Sequence, residues 1–168
     1  FVVATLVLFL GEQMFVCHET KENFDNEQTL ADFLAKQWNC TMQRQRKYAQ
    51  FDFVALKGKE IKAYVEMRER KIPHDKYPNC FINAGKLLTA KSLTDLFNIP
   101  CLFAVSWSDR IGYVNLNQKF KMEFSEQYWG TRTDPTDVEA IGLIPISSFT
   151  FFKQKKPPTE QPKAQVGG

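Results

Sequence analysis

Two carboxylates lie on either side of a short turn. Asp52 sits in the apolar run Phe51-Asp52-Phe53-Val54-Ala55-Leu56, and Glu66 sits in Tyr64-Val65-Glu66-Met67-Arg68. A carboxylate inside an apolar strand is costly unless it is paired or bound to a metal, so Asp52 reads as a functional acid. Lys57-Gly58-Lys59 falls between the two, and a hairpin closing there makes them near neighbours. Two such oxygens, with a backbone carbonyl and waters, suit Mg²⁺, which prefers hard oxygen ligands and keeps part of its water shell; Mn²⁺ is a substitute. An ion so held activates water and neutralises charge on a phosphodiester. Arg68, on the same strand face as Glu66, is placed to supply a cation beside it, and Glu27 on the first helix adds a ligand or a water-mediated contact. The plainer readings are that Asp52 starts a turn or pairs with Arg44 or Arg46, and that Glu66 and Arg68 are cross-strand surface charges.

The elements that must position these groups follow from hydrophobic period. Residues 23–38 predict a helix, with Asp25 and Gln28 as a capping box and Leu30, Ala31, Leu34 and Trp38 on one stripe that also carries Glu27. Residues 41–70 read as three strands, and in the third Ile61, Ala63, Val65 and Met67 alternate with Lys62, Tyr64, Glu66 and Arg68. Residues 79–97 predict a second helix, beginning near Asn83 and ended by Asn98-Ile99-Pro100, with Lys86 on its inward stripe. Cys101–Trp107 and Ile111–Leu116 form a strand pair, and Ala140–Phe149 a last strand. The expected class is α/β of the α+β kind, a central mixed β-sheet flanked by helices, in the order α-β-β-β-α-β-β plus a C-terminal strand.

An Asp, a hairpin and then Glu-x-cation resembles the signature of the PD-(D/E)xK nucleases, which have a restriction-endonuclease-like core. The segments KYPNCFINAGK, NIPCLFAVSWSDRIGYV and DVEAIGLIPISSF are similar to a branch of that superfamily found in phages and prophages, and the likeness covers roughly residues 23–150. The resemblance implies that Asp52 and Glu66 bind Mg²⁺ and that the family's lysine orients or activates water. Here Arg68 stands in the lysine position. Arginine binds phosphate and stabilises transition-state charge, but it does not readily shed a proton to act as a base. Two readings follow: either Lys86 takes over, with Lys62 a lesser candidate, or catalysis is weakened and a nucleic-acid-binding module remains. The resemblance further implies a DNA substrate, a homodimer as a common arrangement, and the cytoplasm of a phage-infected or prophage-bearing host cell.

Charge placement agrees with a polyanionic partner better than bulk charge does. The net charge is +3, whereas Arg44, Arg46, Lys47, Arg70, Lys71 and Lys76 cluster with Tyr48 and Tyr77, a pattern for phosphate contacts or for an ordinary solvated face. The cysteines at 17, 40, 80 and 101 show no paired spacing, which suggests a reduced protein without structural zinc. His18 and His74 read as incidental. The apolar run at residues 1–10 is shorter than the ~20 residues a bilayer span needs. Residues 1–13 read either as an upstream extension of the reading frame or as an extra docked strand, 14–152 as one domain, and the Lys/Pro-rich 153–168 as a disordered tail. The 15 Phe leave a weaker option, an interaction subunit of a phage assembly.

Overall fold

The structure is a computed structural model, and it describes residues 21–125 and 139–155. The alternation that predicts three strands in the first half produces them: β1 (Thr41–Arg44), β2 (Phe53–Lys57) and β3 (Glu60–Glu69). The β2–β3 hairpin turns at Gly58, whose φ of 62° is left-handed and cheap only for glycine among ordinary residues. Helix α1 (Lys21–Trp38) precedes them, starting earlier than expected, so Asp25 lies inside the helix rather than at its cap. There Thr29 Oγ1 donates to the Asp25 carbonyl and Gln28 to Asp32.

Beyond β3 the order departs from expectation. A short strand β4 (Asn79–Asn83) precedes α2 (Ala84–Phe97), so the first residues of the expected helical stretch are strand, while the helix itself begins beside Asn83 as expected. The switch is local: the Asn83 side chain accepts from the Gly85 N–H and caps α2, and Asn98 closes it in the left-handed region. Strands β5 (Cys101–Ser106) and β6 (Arg110–Asn115) match their expected spans closely, while β7 (Lys121–Ser125) was not anticipated. The last apolar run breaks at Pro145 into β8 (Glu139–Pro145), one 3₁₀ turn and β9 (Thr150–Lys155), so β9 extends into the stretch read as tail. Residues 1–13 and 156–168 lie outside the described residues, as do Cys17 and His18.

Six strands form one mixed sheet in the order β1-β2-β3-β5-β6-β9, and three form a second in the order β4-β8-β7. β3 and β5 run parallel, with Glu66 opposite Phe103, and every other pairing is antiparallel. The parallel step is forced by the crossover through β4 and α2. Alternation along β3 sends its residues to two cores. Ala63, Val65 and Met67 pack with Leu30, Ala31 and Leu34 of α1, whereas Tyr64 faces the cluster of Phe51, Phe103, Ile82, Leu87 and Ile144 on the α2 side. The central sheet is therefore covered on both faces, the α+β arrangement the sequence predicts. Gly142 brings α2 close: a Cβ there would collide with Leu87 Cδ1, so glycine permits the approach that seats Lys86's helix on β8.

Candidate active site

Glu66 and Asp52 meet because of strand register. Phe53 pairs with Val65 across the hairpin, and the same register carried one residue outward sets Asp52 beside Glu66, on the α2 face of the sheet. Asp52 is not mid-strand as expected. It lies just before β2 and is half-buried, its Oδ2 accepts the Met67 N–H at 2.7 Å, and its carbonyl accepts from the Gln45 N–H. The cost of an acid in an apolar run is thus met partly by position and partly by a backbone donor.

Glu66 is one of two buried polar residues among the described core, at 7% exposure. Burial, and next the charge of Asp52, push its carboxyl up to about 7, although Lys86 and Arg68 pull the other way. A buried carboxylate with a second acid beside it makes a site short of positive charge. Lys86 answers part of that deficit: its Nζ lies 2.6 Å from Glu66 Oε2 and 2.5 Å from the Gln50 carbonyl. It reaches Glu66 from the first turn of α2, so a lysine distant in sequence stands next to the acid that Arg68 follows. Arg68 donates through Nη1 to the Phe81 carbonyl at 3.0 Å, with its guanidinium 5.7 Å from the Phe103 ring, and still lines the cleft. Lys62 is exposed and bound to Glu60.

The cleft, of about 500 Å³, is lined by Asn26, Glu27, Asp52, Glu66, Met67, Arg68, Glu69 and Lys71. Glu27 comes to it from α1, and its Oε2 is held by Arg44 Nη1 at 2.7 Å. Asn26 and Glu69, which sequence reasoning passed over, join across the same rim at 2.5 Å. The only hint of them was adjacency to Glu27 and Arg68. Of the basic residues singled out, Lys71 lines the cleft, and Arg44 sits at its edge through Glu27. Arg46 and Lys47 are exposed on the β1–β2 loop beside Tyr48, Lys76 is exposed beside Tyr77, and Arg70 is half-buried over the Phe81 ring.

Among the described residues, no group of three or more His, Cys, Asp or Glu side chains is arranged to hold a metal ion. A pair of carboxylates is nevertheless the donor set a Mg²⁺ ion takes when it keeps most of its water. The Glu66 carboxyl, raised by burial and next by its acidic neighbour, is the electrostatic condition a divalent cation relieves, and on that ground the residues fit the ion. No helix among the described residues is long and apolar enough to cross a membrane.

Comparison with known sequence families matches residues 15–152 to the family described as "phage putative PDDEXK endonuclease". The match spans most of the chain, and the chain belongs to this family of the PD-(D/E)xK nucleases, with a restriction-endonuclease-like mixed sheet and flanking helices. No curated protein matches. Among solved structures, the chain is similar to Hjc from Archaeoglobus fulgidus, a Holliday junction resolvase from an archaeal hyperthermophile. That likeness has a TM-score of 0.43 and 14% identity, and covers 71% of this chain and 91% of that one.

Proposed function

We propose that the protein is a Mg²⁺-dependent deoxyribonuclease in which Asp52 and Glu66 hold the ion, Lys86 takes the part of the family lysine, and Arg68 faces the phosphate. The single observation that carries this reading is the 2.6 Å contact between Lys86 and a buried Glu66 whose carboxyl is driven up to about 7 by burial and by Asp52. A divalent ion bound there supplies charge neutralisation at the phosphate and lowers the proton affinity of an attacking water. The remaining work belongs to the chain. Asp52 is fixed by the Met67 N–H, so its free oxygen keeps one orientation. Lys86, unlike arginine, can give up or return a proton, and its bond to the Gln50 carbonyl steadies it beside Glu66. Arg68 offers a permanent charge to the transferring phosphate. Glu27, with one oxygen on Arg44, contributes a charge or a water-mediated contact at the rim. The exposed Arg46, Lys47, Lys71 and Lys76, with Arg44 and Arg70, give sequence-independent contacts to the DNA backbone. A homodimer and a host-cell cytoplasmic setting belong to the same reading.

The test is cleavage of linear, single-stranded and branched DNA in Mg²⁺ or Mn²⁺. Activity should vanish in EDTA and fall by roughly 10³-fold or more in Asp52→Ala and Glu66→Ala. No cleavage of any substrate under these conditions removes the enzyme reading. A second reading rests on Arg68 standing in the lysine position: a nucleic-acid-binding module without catalysis. It predicts salt-dependent DNA affinity that survives loss of both carboxylates, and salt-independent binding would end it.

A further inference from the structure

A second cavity exceeds the carboxylate cleft in volume. It holds about 800 Å³ beside the second sheet, a size suited to small organic ligands. Its floor is one face of that sheet: Phe81 pairs with Leu143, and Ile141 lies two residues along the same strand. Trp107, Tyr77 and Phe124 add rings, with Tyr77 56% and Phe124 80% exposed at its walls. Arg70 lines it too, its guanidinium 4.4 Å from the Phe81 ring centroid and without an acidic partner among the described residues. His74 lines it with a fixed orientation. Its Nδ1 is 2.7 Å from Asp109 Oδ2 and its backbone N–H reaches Oδ1. Because a carboxylate only accepts, Nδ1 is the donor in this bond.

The cavity and the cleft are separate, with no lining residue in common, but they are neighbours across β3 and β4. Arg68 lines the cleft and bonds to the carbonyl of Phe81, whose residue lines the cavity, and Arg70 follows two positions later on the same strand line. On the proposed reading, DNA held at the carboxylates would run past Arg68 and Arg70 to an aromatic-walled recess that also holds the His74 ring. We infer that this recess receives a nucleobase unstacked from the DNA, sandwiched against Phe124 and Tyr77, with Arg70 on its phosphate. The inference rests on the proposed DNA substrate and narrows it to DNA carrying an unpaired base at or near the cleavage point. Aromatic rings substitute for the lost stacking neighbours, and the enclosed volume excludes water from the base faces.

The experiment measures equilibrium affinity in EDTA by fluorescence anisotropy for three labelled duplexes: fully paired, with one bulged nucleotide, and with the bulged nucleotide made abasic. Cleavage of the same duplexes in Mg²⁺ is followed in parallel. The bulged duplex should bind about tenfold more tightly than the paired one, the effect of one stacked base, and the abasic bulge should lose that advantage. Phe124→Ala should abolish the preference while leaving affinity for paired duplex unchanged, and Phe124→Trp should restore it. Because Phe124 is exposed, its loss leaves the core intact. Equal affinity for the bulged and abasic duplexes, or a preference that persists in Phe124→Ala, overturns the inference and leaves the recess to a protein partner. Cleavage without any bulge preference sinks this inference alone. A base-dependent preference without cleavage sinks the nuclease reading alone, and no affinity for any DNA sinks both.

Discussion

Two acid–base pairs flank β3, one on each side of the central sheet, and their lengths hardly differ. Glu27 and Arg44 meet at 2.7 Å near α1, and Glu66 and Lys86 meet at 2.6 Å under α2. Side-chain exposure is similar as well, 20% and 22% in the first pair against 10% and 23% in the second. The surroundings separate them. The Glu27 pair matches one acid with a permanently charged guanidinium that also rests 4.5 Å from the Phe53 ring, an arrangement that ties α1 to β1. The Glu66 pair has a second acid, Asp52, pressing on it, and its cation is a lysine rather than an arginine. A short ion pair therefore says little by itself. An ion pair with a surplus carboxylate beside it is the arrangement that the proposed nuclease reading needs, whereas the Glu27 pair needs no more than the docking of a helix.

The comparison breaks first on catalysis. Lys86→Met should lower the cleavage rate by roughly 10³-fold, within the range of general acid–base catalysis, with KM little changed, while Arg44→Met should keep the rate within about tenfold. Equal losses in the two variants would mean that the pairs differ only in address.

A smaller effect concerns pH and the ion. Glu66 in the folded protein titrates at about 7 against 4.5 for the free group, so between those values the folded state retains a proton that the unfolded chain has released. Its contribution to stability is thus highest below about pH 4.5, declines as pH rises through the window, and is level above about 7. The span is on the order of 3 kcal/mol. Glu66→Gln should flatten this component in chemical denaturation series at stepped pH. Mg²⁺, which binds the ionised acid, should raise Tm more at pH 8 than at pH 5.5, and not in the Gln variant. Equal Mg²⁺ stabilisation at both pH values would place the ion elsewhere.

Arg44→Ala, by contrast, should cost about 1–2 kcal/mol of stability at neutral pH by leaving Glu27 without that cation at the α1 edge, and urea midpoints read it directly. If stability is unchanged, the pair does not fasten the helix. The smallest effect belongs to the exposed loop. Arg46→Ala and Lys47→Ala should each reduce the salt slope of DNA binding by about one and weaken affinity several-fold, with kcat untouched.

Local chemistry made much of this legible. Period-two alternation placed β3 and its Glu66–Arg68 face, Gly58 marked the hairpin, and the stripe Leu30, Ala31, Leu34 marked α1, because each signal is written in residues close in sequence. The misses were short or split elements. β4 is only Asn79–Asn83 and abuts α2 without a break, so Ile82 fits a strand and a helix equally well until Asn83 is seen to cap. Strand β7 alternates Met122 and Phe124 with polar residues over only five positions, too short a run to stand out, and β8 and β9 read as one apolar run across Pro145. The His74–Asp109 bond was not legible either, because nothing near His74 in sequence reveals Asp109.

By itself, then, the sequence determined the identities of the acids, the hairpin that joins them, and the absence of a lysine after Glu66. Only the tertiary structure decided which lysine stands beside Glu66, that Asp52 lies at the mouth of β2 rather than within it, and that a large aromatic recess adjoins the cleft. The physical reason is range. Propensity and alternation act over a few residues, whereas the bond from Lys86 to Glu66 depends on where α2 lands, which is set by the β4 crossover, the parallel β3–β5 pairing and the close approach at Gly142.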